Sequence, residues 1–383
     1  MFYRVVAMRA SKGVVVAVAA VLLVAAFLLS AFFAQPQGAR VKVGAVYQET
    51  GSGADWGARA EQGVMLAVEK INRDGGVRGV PLQVIFEDSR SNPGDAVTAM
   101  NKLVSVDNVS AVLSQASSTV VALSPVANRN GVVLIDTGAT TPAYLSPDDY
   151  TFRVSYSAPY FAKRVSELLN ERGVKSLGVL FVNDDYGKAM LGAYAASFRG
   201  AVVSESFASD ATDFRVQLQK LASVEALALV SNTRQTGLIL RQKKELGFGQ
   251  PVFTDVYSAE YQSVLDAAGG AAEGMVYAAP DFDVNRTDSA FTEFNAAFES
   301  KFGGVPNALS AQAFDGVMVL AAAMRACENP ADSKCVKEKL YALKDFEGVV
   351  GLIAFDRNGD VVYRPTVLKT VRNNSFVSYL PGA

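Results

Sequence analysis

The chain has 383 residues, half of them apolar, with 36 basic against 38 acidic side chains and no histidine. That length allows two domains of ordinary size, and the near balance of charge leaves no basic surplus for nucleic acid. Without an imidazole, Ser-His-Asp and Cys-His catalysis are removed, together with most zinc sites.

The chain opens with Arg4, Arg9 and Lys12 and no acid, followed by an uncharged run from Gly13 to Ala34. A basic start before an apolar run marks an exported chain, destined for the periplasm or the outer face of the cytoplasmic membrane. The run reaches the ~20 residues of a membrane-crossing helix. Small residues sit poorly for cleavage, with Phe32 two places before Ala34 and Leu29 two before Ala31. Residues 1–39 are therefore either a signal peptide or an N-terminal membrane anchor spanning 13–34. No cysteine stands near the run, which excludes a lipid anchor.

From Val41 short apolar runs alternate with amphipathic stretches, the pattern of parallel sheets covered by helices. "VKVGAVY" reads as a strand, and the stretch from Gly57 to Gly76 as a helix with Val64, Val68 and Ile71 on one face. "PLQVIFED", "VSAVLS" and "VVLID" are the next strands, separated by helices over Asp95–Asp107 and Thr119–Asn130. A second set follows, with strands "SLGVLFV", "AVVSESF", "EALALVS", "PVFTD" and "GMVYAA". Its helices are expected at Ala162–Arg172, Tyr186–Phe198, Asp213–Leu221, Arg234–Leu246 and near Ala259. Two helices then come in succession, Asp288–Phe302 and Leu309–Ala326, before "GLIAFDRNGDVVYRP", where Asn358–Gly359 signals a hairpin. The reading is α/β, two doubly wound lobes joined by several short crossings. Cys327 and Cys335 are the only cysteines, and in an exported protein the even count reads as a disulfide, with Asn329 and Pro330 turning the chain between them.

"TGSGADWG", residues 50–57, follows the first strand as a phosphate-binding loop would. A dinucleotide fingerprint needs G-x-G-x-x-G and an acid about twenty residues on. Here the third glycine is displaced by one place, and Glu87 and Asp88 come about thirty residues after Gly57. Trp56 also occupies space that a pyrophosphate needs. Adjacent Glu87 and Asp88 point to opposite faces of a strand and make a poor acid–base pair. The loop instead carries one aromatic to the ligand crevice of an open α/β sheet, unless Trp56 packs on its own helix.

Two further motifs end adjacent strands. Ser117, Ser118 and Thr119 open a helix, where hydroxyls, backbone N–H groups and the helix dipole suit an anion. Plain N-capping is the alternative. "DTGAT" follows the next strand. Gly138 lets backbone approach closely, and Thr140 can donate to a carboxylate or accept from an ammonium. Ser209, in "FASDATDF", lies outside both motifs.

Three stretches resemble the leucine/isoleucine/valine-binding family of solute-binding proteins: "INRDGGVRGVPLQVIFEDSRSNPGDAV", "SQASSTVVALSPVANRNGVVLIDTGATTP" and "FEGVVGLIAFDRNGDVV". The resemblance runs in order from about residue 41 to the end. It implies a type I periplasmic binding protein: residues 41–155 plus about 286–366 in one lobe, and 156–285 plus about 367–383 in the other. It further implies capture of a small ligand, an aliphatic or branched-chain amino acid, for the membrane permease subunits of an ABC importer, with no reaction, cofactor or metal. By resemblance Ser117 takes the carboxylate, with Ser118 beside it, Gly138 and Thr140 meet both charged groups, and Ala139 between them belongs to the ligand-binding set. Trp56 and Tyr186 sit near the ligand. The pattern departs in the second set. Where the family carries a further Tyr this chain has Asn232, and where it carries an acid for the ammonium it has Val256, with Asp255 one place earlier. Asp184 and Asp185 are spare partners, against the plainer reading of a solvated loop. The alternative within the fold is a ligand-sensing ectodomain for an amide or small carboxylate, disfavoured because no domain is expected after the hairpin. An NAD enzyme or a hydrolase fits worse.

Overall fold

The computed structural model describes residues 39–281, 288–362 and 365–380. The leader and its uncharged run 13–34 lie outside these, and among the described residues no helix is long and apolar enough to cross a membrane. From Val41 onward the chain packs as one unit.

Five short β-rich runs form the first sheet: β1 (Val41–Tyr47), β2 (Leu82–Asp88), β3 (Ala111–Ser114), β4 (Val133–Asp136) and β5 (Thr151–Arg153). Their order is β2-β1-β3-β4-β5, and every pairing is parallel. Parallel pairing requires crossovers, and here three are helices: α1 (Ala54–Arg73), α2 (Pro93–Ser105) and α3 (Ser117–Asn130). Along β1 the side chains alternate between faces. Val43, Ala45 and Tyr47 join the core beside α1, while Val46 joins the one made with Met100, Leu103 and Leu123 of α2 and α3. Burial on both faces explains why these strands read as nearly continuous apolar runs. Helix α2 starts where Asn92 accepts the N–H groups of Gly94 and Asp95 and proline takes the first turn.

After β5 the chain enters a second sheet through α4 (Ala158–Glu171), β6 (Ser176–Val182), α5 (Asp185–Ser197), β7 (Ala201–Phe207), α6 (Arg215–Lys220) and β8 (Ala226–Val230). It continues with α7 (Thr233–Glu245), β9 (Val252–Asp255), α8 (Val256–Ala259), α9 (Gln262–Ala268) and β10 (Val276–Pro280). The parallel part is ordered β7-β6-β8-β9-β10. Numbered within each set, both sheets follow the order 2-1-3-4-5. This is a doubly wound topology whose switch point lies beside the first strand, at its carboxyl end.

The chain then adds α10 (Ser289–Phe302), α11 (Ala308–Arg325) and α12 (Ser333–Ala342), with α10 and α11 packing on α1, and α11 and α12 against β4. A disulfide joins Cys327 to Cys335 between α11 and α12, Cα atoms 6.0 Å apart.

The C-terminal hairpin differs from expectation. Gly351–Ile353 (β12) pairs with Phe346–Gly348 (β11), and across the Asn358–Gly359 turn there is a single antiparallel bridge, Phe355 to Val361. The extended hairpin is β13 (Thr366–Arg372) with β14 (Ser375–Ser378), an antiparallel edge on the second sheet. Its turn residues Asn373 and Asn374 both have positive φ, 51° and 57°, the conformation a tight two-residue hairpin demands.

Candidate functional site

A cavity of about 240 Å³ lies where the carboxyl ends of the two sheets meet. From the first sheet its wall takes Gln48 and Trp56 after β1, Ser91 after β2, Gln115 to Thr119 after β3, and Gly138 and Thr140 after β4. From the second it takes Asp184 and Tyr186 after β6, Ser209 after β7, Asn232 after β8 and Tyr257 after β9. Leu309 of α11 completes it. In a doubly wound sheet this is where residues just past strand ends converge.

The first-sheet side is rich in neutral donors. Ala116, the N-cap of α3, has φ of 67° and offers no side-chain acceptor. The first-turn N–H groups of α3 thus have no side-chain cap, which leaves a partial positive charge facing the cavity. Ser117 Oγ accepts the N–H of Thr140 at 3.2 Å and of Thr141 at 3.4 Å, so its own proton remains to donate. Thr140 is 1% exposed and its Oγ1 is buried with no partner among the described residues.

The loop 138–141 is held from behind. Asp136 Oδ1 accepts the N–H groups of Gly138 and Ala139 at 2.9 and 2.7 Å. Its other oxygen accepts the hydroxyls of Tyr144 and Ser155. Burial pushes the Asp136 carboxyl up against these donors. Arg153, fully buried, donates through Nη1 to the carbonyls of Thr140 and Thr141 at 3.3 and 3.0 Å and pairs with Asp360 through Nε and Nη2.

The second-sheet side supplies the single charge among the lining residues, Asp184. It caps α5 by accepting the N–H of Gly187 at 2.9 Å. Burial first, then the charge of Asp185, raises its carboxyl to about 6, with the Gly187 N–H and Lys188 opposing. Tyr186 turns its ring to the cavity and buries its hydroxyl on Asp255 at 2.5 Å and Ser258 at 2.8 Å.

Of the residues singled out in the sequence, Trp56, Ser117, Ser118, Gly138, Thr140, Tyr186 and Asn232 line one cavity. Asn232 does so while capping α7 through Gln235 N–H. Two are placed elsewhere. Ala139 is buried, its carbonyl accepting from Ser155. Asp255 is fully buried behind Tyr186, its oxygens taken by Tyr186 O–H and the N–H groups of Tyr257 and Ser258. Burial raises it to about 6. It caps α8 and does not line the cavity. Asp184, weighed in the sequence as a solvated loop residue, is the carboxylate in the wall. Ser209 also lines the cavity, as do Gln48, Gln115, Tyr257 and Leu309. The signal for Gln48 and Gln115 was position alone, each just past a strand. Leu309 had none, because α11 reaches the cavity only through tertiary packing.

A family model described as periplasmic binding protein matches residues 40–375. The leucine-, isoleucine-, valine-, threonine- and alanine-binding protein of Pseudomonas aeruginosa is 27% identical over 334 residues, covering 84% of this chain and 87% of that protein. The branched-chain amino acid transporter substrate binding protein of Streptococcus pneumoniae, solved with isoleucine, is 26% identical. Its TM-score is 0.80, over 88% of this chain and 98% of that one. A leucine-binding protein of Thermotoga maritima superposes with a TM-score of 0.83 at 23% identity, covering 89% of this chain and 98% of that one, a likeness of fold.

Proposed function

The chain belongs to the periplasmic binding protein family, and from that premise we propose that it captures a small α-amino acid between two closing lobes and delivers it to the permease subunits of an ABC importer. The family is one of solute-binding proteins acting outside the cytoplasm. In this reading each parallel sheet is the centre of a lobe, with the lobes divided as the sequence suggested. The observation that carries it is the polarity of the cavity. One wall presents the uncapped N-terminus of α3, the Ser117 hydroxyl and Thr140. The facing wall presents Asp184, the single charge among the lining residues.

An α-carboxylate meets the N–H groups and hydroxyls of the first wall. An α-ammonium meets Asp184 and Thr140 Oγ1, which restores a counter-charge to a carboxylate that burial has raised. The rings of Trp56, Tyr186 and Tyr257 close over the rest. The names of the relatives support a branched-chain or other aliphatic amino acid as the first class to try. A ligand that binds only the folded protein adds ~2.7 kcal/mol of stability at ~100 times its Kd. A thermal-shift panel of amino acids, amides, small carboxylates and nucleotides is the test. The expected result is a rise in Tm with an α-amino acid. A rise with nicotinamide or adenine nucleotides and none with any amino acid would overturn the reading.

A further inference from the structure

The cavity contains polar groups that backbone recognition does not use. Gln115 is 2% exposed, and both Oε1 and Nε2 are buried without a hydrogen-bond partner among the described residues. Gln48 is 6% exposed, and its Oε1 is likewise unpartnered. Both line the cavity. They follow β1 and β3 directly, and these strands are hydrogen-bonded neighbours, so the two side chains project at the switch point of one sheet.

Each amide lies over a glycine of the loop beside it. A Cβ on Gly53 would come 2.4 Å from Gln48 Cδ, and one on Gly138 would come 3.1 Å from Gln115 Cβ and 3.5 Å from its Oε1. The glycines of "TGSG" and "TGAT" therefore make room for glutamine side chains. A buried amide that finds no partner costs the full desolvation of its polar atoms. An aliphatic side chain seated here leaves three such atoms unpaired once the lobes close. A charged side chain fares no better. Among the lining residues there is no lysine or arginine to meet a second carboxylate, and Asp184 is engaged by the α-ammonium.

Resting on the amino-acid reading above, we propose that the ligand is an amino acid with a neutral, hydrogen-bonding side chain, and that Gln48 and Gln115 select it. A carboxamide is the best complement, since it both donates and accepts, as the two glutamines do.

The test is calorimetry on the protein with two near-isosteric pairs, asparagine against leucine and glutamine against methionine. A site built to hydrogen-bond rejects the analogue that cannot. The amide member of at least one pair is expected to bind about tenfold tighter or more. Gln115→Leu, with its Tm measured alongside, is expected to erase that preference or reverse it. If leucine or methionine binds as tightly as its amide counterpart, the inference is wrong and the amino-acid reading stands. If no amino acid binds, both fall together.

Discussion

Thr140 Oγ1 is the buried hydroxyl of the wall with no partner among the described residues. Thr140→Val keeps the shape and removes the only atom able to pair there, so ligand binding should weaken by ~1.5–3 kcal/mol. Ser105→Ala, at the exposed end of α2, should leave it unchanged. Equal affinities in calorimetry would remove Thr140 from the site. Asp184 makes a pH prediction. Burial raises its carboxyl to about 6, and an ammonium needs it ionised. Affinity should therefore be level above pH ~7 and fall as the pH drops through ~6, by up to about tenfold per unit. Asp255, also at about 6, and Glu61, at about 7, titrate in the same range. They remain in Asp184→Asn, so the difference between the two profiles isolates Asp184. That variant should bind more weakly with a flatter profile between pH 5 and 7, and identical profiles would rule Asp184 out. The sequence made the Ser117 and Thr140 motifs legible because hydroxyls and glycine at strand ends are local signals. It could not rank Asp184 above Asp255. The choice turns on which carboxylate a tyrosine hydroxyl 69 residues away covers.

At the scale of elements, the segment Ala354–Val362 acts on the cavity without touching it. Asp360 pairs with buried Arg153, whose remaining donors hold the carbonyls of Thr140 and Thr141. The Arg153 N–H also donates to Gly359 at 2.8 Å. Asp360→Asn keeps one acceptor but leaves a buried guanidinium donor unpaired and should lower stability by about 1–3 kcal/mol. Ligand affinity should fall as well, because the loop bearing Thr140 loses its anchor. Unchanged affinity in calorimetry, despite a lower Tm, would show that the pair serves stability alone. Most elements were legible. Some helix starts follow visible caps, as at Asn92 and Asn307, where Ser310 completes a capping box. The parallel strands stand out as apolar runs. What escaped was short or held by tertiary contact. Strand β5 has three residues, and α12 fully buries just Val336 and Leu340. The Asn358–Gly359 turn drew the hairpin assignment away from Asn373–Asn374, where the paired strands lie.

At the scale of the whole molecule, contacts between the two sheets' loops ring the cavity. Trp56 Nε1 donates to the Tyr257 carbonyl at 2.9 Å, and its ring meets Tyr186 edge-on with centroids 6.2 Å apart. Asp55 accepts the hydroxyls of Thr233 and Ser263, each at 2.7 Å. Ser118 Oγ accepts the Asp185 N–H at 3.3 Å. If the lobes close on ligand, these are contacts of the closed form, and Asp55 is a latch outside the cavity wall. Asp55→Ala should then raise the ligand off-rate by roughly three- to tenfold, for a loss of ~1 kcal/mol in the closed state. Stopped-flow release at an unchanged rate would show no latch. Capture by closure would be reported directly by Trp56, the only tryptophan in the chain. Titrating the protein with the amino acid that gives the largest thermal shift, while following Trp56 emission and its quenching by a soluble quencher, is the measurement. A blue shift and reduced quenching are expected, with one midpoint that equals the calorimetric Kd. Saturation by that ligand with emission and quenching unchanged would contradict capture by closure.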